Sequence, residues 1–220
     1  MLFPYKDDNP SVLYPFTTYT IIGLNVSVFL LQFYIAGNNQ DLARSIIFEF
    51  GLVTNRFNII DVITSMFLHG GIYHIVGNMW FLYIFGDNIE SILGHIGFIY
   101  FYIFCGAGAA FLQFIVEPTS SIPMVGASGA ISGVLGAYMI KFPKAKVHVI
   151  AVIIFFITTF AVPAQVVLGV WFLMQLSGGL GSLGIDTTGG IAWFAHIGGF
   201  ICGVGSIKFF QTFKIKNYGR

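Results

Sequence analysis

Charged residues make up only 9% of these 220 residues, against roughly 25% in an ordinary soluble domain. So little charge excludes a surface built mainly for water. Lysine and arginine total 10, aspartate and glutamate 9, for a net charge of +1, so no basic footprint for nucleic acid is present. Cysteine is limited to Cys105 and Cys202. Both fall in apolar stretches with no CxxC motif or nearby histidine, which argues for small packing residues rather than a disulfide framework or a zinc site. Internal repeats, low-complexity tracts and a separate soluble domain are also missing. The first sixteen residues carry Lys6, Asp7, Asp8 and prolines, a poor match to a cleavable signal peptide, so the first span is expected to insert itself.

What fills the chain instead is apolar: 56% of it is hydrophobic. A membrane-crossing helix needs about 20 mostly apolar residues, and six candidate stretches are present. They run from about Thr18 to Ala36, Ile72 to Gly86, Ile92 to Val116, Ser128 to Ile140, Val147 to Leu176 and Gly190 to Phe210. The second and fourth are short, as helices that begin inside the bilayer under cover of other protein would be. Pro163 is expected to kink or divide the fifth. This predicts an all-α membrane domain over residues 18–212, between an N-terminal segment 1–17 and a C-terminal tail 213–220. Lys141, Lys144 and Lys146 follow the fourth stretch, and Lys208, Lys214, Lys216 and Arg220 follow or close the sixth. The positive-inside rule then puts both termini in the cytoplasm and the loops after spans one, three and five outside. The expected address is an integral, multi-pass protein of a prokaryotic cell membrane.

Two connections stand apart. The one from about Gly37 to Gly71 is the longest, and its 46–53 stretch, with Phe48, Phe50 and Leu52, is apolar enough to lie in the membrane interface. The other, Ser177 to Gly184, is rich in glycine and reads as a mobile cover over an outward-facing cavity.

Polar groups inside a membrane are costly, so those present mark function. Ser128 lies in Gly126-Ala127-Ser128-Gly129 and His196 in Ala195-His196-Ile197-Gly198-Gly199. A serine hydroxyl becomes a useful nucleophile when a base takes its proton, and imidazole does so near neutral pH. A helix beginning at Ser128 would also leave free N–H groups and its positive dipole end beside a developing oxyanion. Taken alone, the serine motif serves tight helix packing equally well. However, His196, Gly199 and Gly203 share one helix face, and Gly129, Gly133 and Gly136 share another. Packing the two faces brings His196 toward Ser128. In the second stretch His74 and Asn78 stand at i and i+4, with His69 just before them. They can serve as donors to an oxyanion or as an interhelical hydrogen-bond pair. A metal on His69, His74 and His196 would lack any carboxylate or thiolate nearby in sequence.

Together these residues resemble the rhomboid family of intramembrane serine proteases, over nearly the whole chain. The matching motifs are Asp7-Asp8-Asn9-Pro10, Leu24-Asn25-Val26, Phe67-Leu68-His69-Gly70-Gly71, His74 with Asn78-Met79, and Phe85-Gly86-Asp87-Asn88 with Glu90 and Gly94, followed by the serine and histidine motifs. Each is weak alone; the ordered set is specific. The resemblance implies a six-helix bundle with a partly membrane-embedded first loop. It makes Ser128 the nucleophile and His196 the general base of a dyad, with His74, Asn78 and the Ser128 N–H as the oxyanion hole. Gly126, Gly129 and Gly199 would support the site and Trp171 would belong to a gate. It also implies transmembrane protein substrates in a lipid bilayer and no cofactor or metal.

Two positions depart from the family pattern. Ile60-Asp61 stands where many members have Trp-Arg in the first loop, and Ser132 stands where some have tyrosine four residues after the nucleophile. The rivals are a rhomboid-like, non-catalytic protein that binds membrane helices and a small transporter. Intact Ser128, His196, His74 and Asn78 count against the first, and the scarcity of intramembrane acids counts against the second.

Overall fold

Hydrophobic length sets most of this architecture, and packing of small residues sets the rest. The computed structural model describes residues 2–153, 156–183 and 190–218. Its helices are α1 (Phe16–Asn38), α2 (Gln40–Phe50), α3 (Ile59–Thr64), α4 (Ile72–Val116), α5 (Ser128–Lys141), α6 (Ala164–Ser182) and α7 (Trp193–Tyr218). Three strands, β1 (Leu2–Asp7), β2 (Lys146–Ile153) and β3 (Phe156–Pro163), form one antiparallel sheet in that order.

Among the described residues four helices are long and apolar enough to cross a membrane: Phe16–Asn38, Ile72–Val116, Ala164–Ser182 and Trp193–Thr212. At 45 residues α4 is about twice the length of one crossing. It is divided at Gly94, whose φ of 73° and ψ of 167° interrupt the helical path. That positive φ is open to glycine and strained for other residues. The second and third stretches of the sequence are therefore the two halves of α4. The short fourth stretch is α5, with 14 residues. Every residue from Gly129 to Tyr138 is buried, because α4 and α7 enclose the helix.

α1 lies on the outside. Its buried residues are Thr17, Thr18, Ile21 and Asn25, while Leu30, Leu31, Phe33 and Tyr34 are exposed, as a lipid-facing helix requires. Its N-terminus is held by the buried Glu90 carboxylate, which accepts from the N–H of Thr17 (2.7 Å), the N–H of Thr18 (2.7 Å) and the Thr18 hydroxyl (2.6 Å). His95 Nδ1 closes the cluster at 2.6 Å. An anion at unsatisfied first-turn N–H groups is the favourable arrangement for a helix dipole.

Two sequence expectations are overturned here. The fifth stretch does not begin as a helix at Val147, and Pro163 does not kink one: Lys146–Ile153 and Phe156–Pro163 pair as antiparallel strands, and α6 starts after Pro163 at Ala164. Val147, Val149, Ile150, Val152 and Ile153 make β2 rich in β-branched side chains, which favour strands, whereas hydropathy alone does not separate strand from helix. The domain is consequently not all-α. The glycine-rich Ser177–Ser182 is not a loop but the last turns of α6; Gly184 lies outside the described residues. A Cβ at Gly178 would come 2.6 Å from the Trp193 ring, and one at Gly179 would come 3.3 Å from Ile197 and Phe194. These two glycines let α7 approach the end of α6.

The first loop is folded against the segment that leads to Ser128. Leu52 and Met124 exchange backbone hydrogen bonds (3.0 and 2.8 Å), Asn55 N–H reaches the Ser120 carbonyl (3.1 Å), and Gly126 N–H reaches the Ser65 carbonyl (2.8 Å). Asp61, in the position of the family's Trp-Arg pair, is buried within α3. α2 has no buried residue and exposes Leu42, Phe48 and Phe50.

Candidate active site

α5 and α7 meet through the two small-residue faces. A Cβ at Gly199 would collide with the Gly129 carbonyl oxygen, and one at Gly203 with that of Gly133. Backbones this close are possible only where both helices lack side chains at the contact. Ser128, the first residue of α5, and His196, in the first turn of α7, are thereby set opposite each other. Ser128 Oγ lies 2.8 Å from His196 Nε2, hydrogen-bond distance for proton transfer from hydroxyl to imidazole. On the other side of the ring, His196 Nδ1 lies 2.7 Å from Gln175 Oε1. The Trp171 ring stands 6.0 Å from the imidazole, inclined at 35°.

The start of α7 needs acceptors for its first N–H groups, and α4 provides one. Buried Gln113 accepts from Ala195 N–H through Oε1 (3.1 Å) and donates to Glu117 Oε2 (3.0 Å). This fixes the turn that carries His196.

The donors expected for an oxyanion line the same space. Asn78 is buried, and its Nδ2 has no hydrogen-bond partner. Such an unpaired buried donor normally costs free energy, and here it faces a cavity. His74 Nδ1 accepts from Gly70 N–H at 3.4 Å, which leaves the proton on Nε2. That nitrogen lies against Gly126: a Cβ there would come 2.7 Å from it and 3.6 Å from Asn78 Nδ2. Gly126 has a φ of 122°, so both its conformation and its lack of a side chain are needed to pass the chain over His74 into Ser128. The first residues of any α-helix have N–H groups with no intrahelical partner, and Ser128 is the first of α5.

His74, Asn78, Ser128, Ser132, Trp171 and His196 line one cavity of about 850 Å³. The remaining sequence candidates sit around it. Gly129 approaches Ala109 of α4, at 2.6 Å from an added Cβ. Ser132 donates to the Ser128 carbonyl at 2.6 Å, the back-bond common for serine in membrane helices. Among the described residues no three His, Cys, Asp or Glu side chains converge where a metal could sit. Chemically, the constellation offers a hydroxyl, a base that reaches it and hydrogen-bond donors around one space, the equipment of acyl transfer. Sequence reasoning missed Gln113 and Gln175; the only signal was a polar amide within an apolar helix.

Comparison with known proteins points to one family. The family model described as Rhomboid domain matches residues 56–211. Rhomboid protein 1, mitochondrial, of Saccharomyces cerevisiae is 28% identical over 92% of this chain and 54% of its own length. The mouse presenilin-associated rhomboid-like protein, mitochondrial, is 31% identical over 44% of this chain and 26% of its own. Rhomboid-like protein 11, chloroplastic, of Arabidopsis thaliana is 39% identical over 32% and 25% respectively. The chain thus spans about half or less of the length of these curated relatives. They are eukaryotic organelle proteins by name, so they lend no support to a prokaryotic cell membrane; an integral membrane protein is what the apolar helices and the relatives support together. With the serine and histidine motifs, the helices that carry them and the span 56–211 all in agreement, the chain belongs to the rhomboid family.

Proposed function

We propose that this protein is an intramembrane serine protease that cleaves peptide bonds in or near the transmembrane segments of other membrane proteins. The observation that carries the reading is the 2.8 Å contact between Ser128 Oγ and His196 Nε2 at a cavity within a bundle of apolar helices. His196 takes the hydroxyl proton as Ser128 attacks the scissile carbonyl. The tetrahedral oxyanion is met by Asn78 Nδ2, His74 Nε2 and the Ser128 N–H, each such donor being worth about 2.7–4 kcal/mol in comparable sites. Protonated His196 then delivers its proton to the leaving amine, and water hydrolyses the acyl-enzyme with the same imidazole as base.

In this reading the two halves of α4 are separate crossings and α5 is a further one, which makes six. Both termini face the cytoplasm, α2 lies in the interface, and α6 with Trp171 forms a movable wall through which a substrate helix reaches the cavity. No cofactor takes part. Ser128→Ala and His196→Ala should each abolish cleavage of single-span proteins and labelling by a fluorophosphonate, with the double variant no worse than either. Robust cleavage by purified Ser128→Ala would sink the mechanism, and wild-type protein inert to both probes would favour a helix-binding role without catalysis.

A further inference from the structure

We propose that Gln175 is a positioning residue for His196: its side-chain carbonyl fixes the imidazole tautomer, so that Nε2 faces Ser128 with its lone pair. This rests on the reading of Ser128 and His196 as a catalytic pair. Gln175 is buried at 6% exposure on α6, one turn beyond Trp171. Its two amide atoms are distinguished by their neighbours. Nε2 lies 3.3 Å from the Trp171 carbonyl oxygen, which can only accept, so the amide nitrogen occupies that side. Oε1 therefore faces His196 Nδ1 at 2.7 Å. An amide oxygen also can only accept, so Nδ1 carries the hydrogen. Nε2 is then the acceptor, 2.8 Å from the Ser128 hydroxyl. When the imidazolium forms, the same Nδ1–H bond becomes charge-assisted and strengthens.

Among the described residues α5 contributes to the ring only through Ser128 itself. Ser132, one turn after the nucleophile, spends its hydroxyl on the Ser128 carbonyl. Both Trp171 and Gln175 are on α6, at i and i+4 on one face, so the helix that walls the cavity also holds the base. The arrangement resembles the orienting member of a triad in geometry, with a neutral amide in place of a carboxylate. A wrong tautomer costs about 10⁴-fold where that member is a carboxylate. A neutral acceptor contributes less, and loss of such an orienting partner is expected to slow the reaction roughly 10- to 100-fold.

The test uses the full chain, reconstituted with ¹⁵N-labelled histidine, and compares it with Gln175→Leu, which removes the acceptor, and Gln175→Glu, which keeps one. Nuclear magnetic resonance reads the His196 tautomer, assigned by difference with His196→Ala, and fluorophosphonate labelling reads the rate at Ser128. Expected are an Nδ1–H tautomer in wild type and Gln175→Glu, a mixture in Gln175→Leu, and slowed labelling with unchanged thermal unfolding only in Gln175→Leu. A wild-type His196 protonated on Nε2 overturns the inference. So does a Gln175→Leu variant with wild-type tautomer and labelling rate. If Gln175→Leu fails to fold, the wild-type tautomer decides alone. An Nδ1–H tautomer in protein that never labels keeps the positioning role and refutes the protease reading instead.

Discussion

Replacing Gly199 by alanine adds one methyl group at the place where the two helices of the site touch. A Cβ there would overlap the Gly129 carbonyl, with its carbon 2.9 Å away, and would stand 3.4 Å from Ser132 Cβ. Carbon atoms prefer roughly 3.5 Å or more, and the overlapping group is backbone, so it cannot turn aside as a flexible side chain could. α5 and α7 must part by on the order of 1 Å, at an overpacking cost of about 1–3 kcal/mol. The parting acts where the chemistry is: Gly129 follows Ser128, and Gly199 lies one turn after His196. Stretching their 2.8 Å contact by that amount leaves no useful hydrogen bond. Misplacement of this size costs about 10²-fold in rate.

The assay is the rate of fluorophosphonate labelling at Ser128, with thermal unfolding of the same sample in detergent. Gly199→Ala should label about 100-fold more slowly and unfold at lower temperature. Gly205→Ala, on the same helix with nothing within 4 Å of the added atom, should label normally and gain up to about 1 kcal/mol from helix propensity. A Gly199→Ala protein that labels at the wild-type rate and unfolds at the wild-type temperature would refute the claim that this contact sets the Ser128–His196 distance.

Asn78→Ala should lower turnover of a cleavable substrate by about 10²–10³-fold with little change in KM, because the amide is used mainly in the transition state; a pure KM defect would point to a structural role. Glu90→Ala leaves the buried Thr17 and Thr18 N–H groups without their acceptor, and should destabilise the protein by about 1–3 kcal/mol for each donor left unpaired; an unchanged unfolding temperature would contradict the capping role. Hydrogen exchange in β1 and β2 should follow the two aspartates with opposite signs. The hydrogen bond from His148 holds Asp8 below the usual carboxylate value, so its contribution is present above that value and is lost as pH falls through the lowered one. Burial pushes Asp7 up, so its contribution is present at low pH and is lost as pH rises through the raised value. Asp8→Asn should therefore destabilise at neutral pH and be silent in acid, whereas Asp7→Asn, which mimics the protonated acid, should stabilise at neutral pH and also be silent in acid; effects of the same sign for the two would refute the assignment.

Legibility of the fold tracked the period of the apolar pattern. α1 and the two halves of α4 are long apolar runs, and length alone locates them. α5 is short yet legible, because glycine, alanine and serine at helical spacing identify a helix wrapped by others even when it falls short of the usual length of a crossing. The paired strands β2 and β3 are not, because continuous apolar runs have no period to separate strand from helix. Their β-branched side chains and Pro163 carried the distinction, and hydropathy outweighed them. The glycines from Ser177 to Ser182 misled for a related reason. Glycine is equally the residue of a mobile loop and of a close helix contact, and only the position of Trp193 and Phe194 across from it decides between them.

The site divides along the same line. Ser128, His196, His74 and Asn78 stand out because each is a chemically distinctive group in an apolar setting, and the small residues beside two of them state which helix faces meet. Gln113 and Gln175 have no such companions. Gln113 matters because α7 begins where its amide can accept the Ala195 N–H, and that starting point is not written in the residues of α4. Gln175 matters because α6 begins at Ala164, which sets the rotation of the whole helix and turns Trp171 and Gln175 together toward His196. Reading one continuous helix from Val147 leaves that rotation undetermined, and an amide near its end then looks like an ordinary interfacial residue. The candidate catalytic groups are thus visible one at a time, whereas the groups that hold them in register become visible only once the ends of their helices are known.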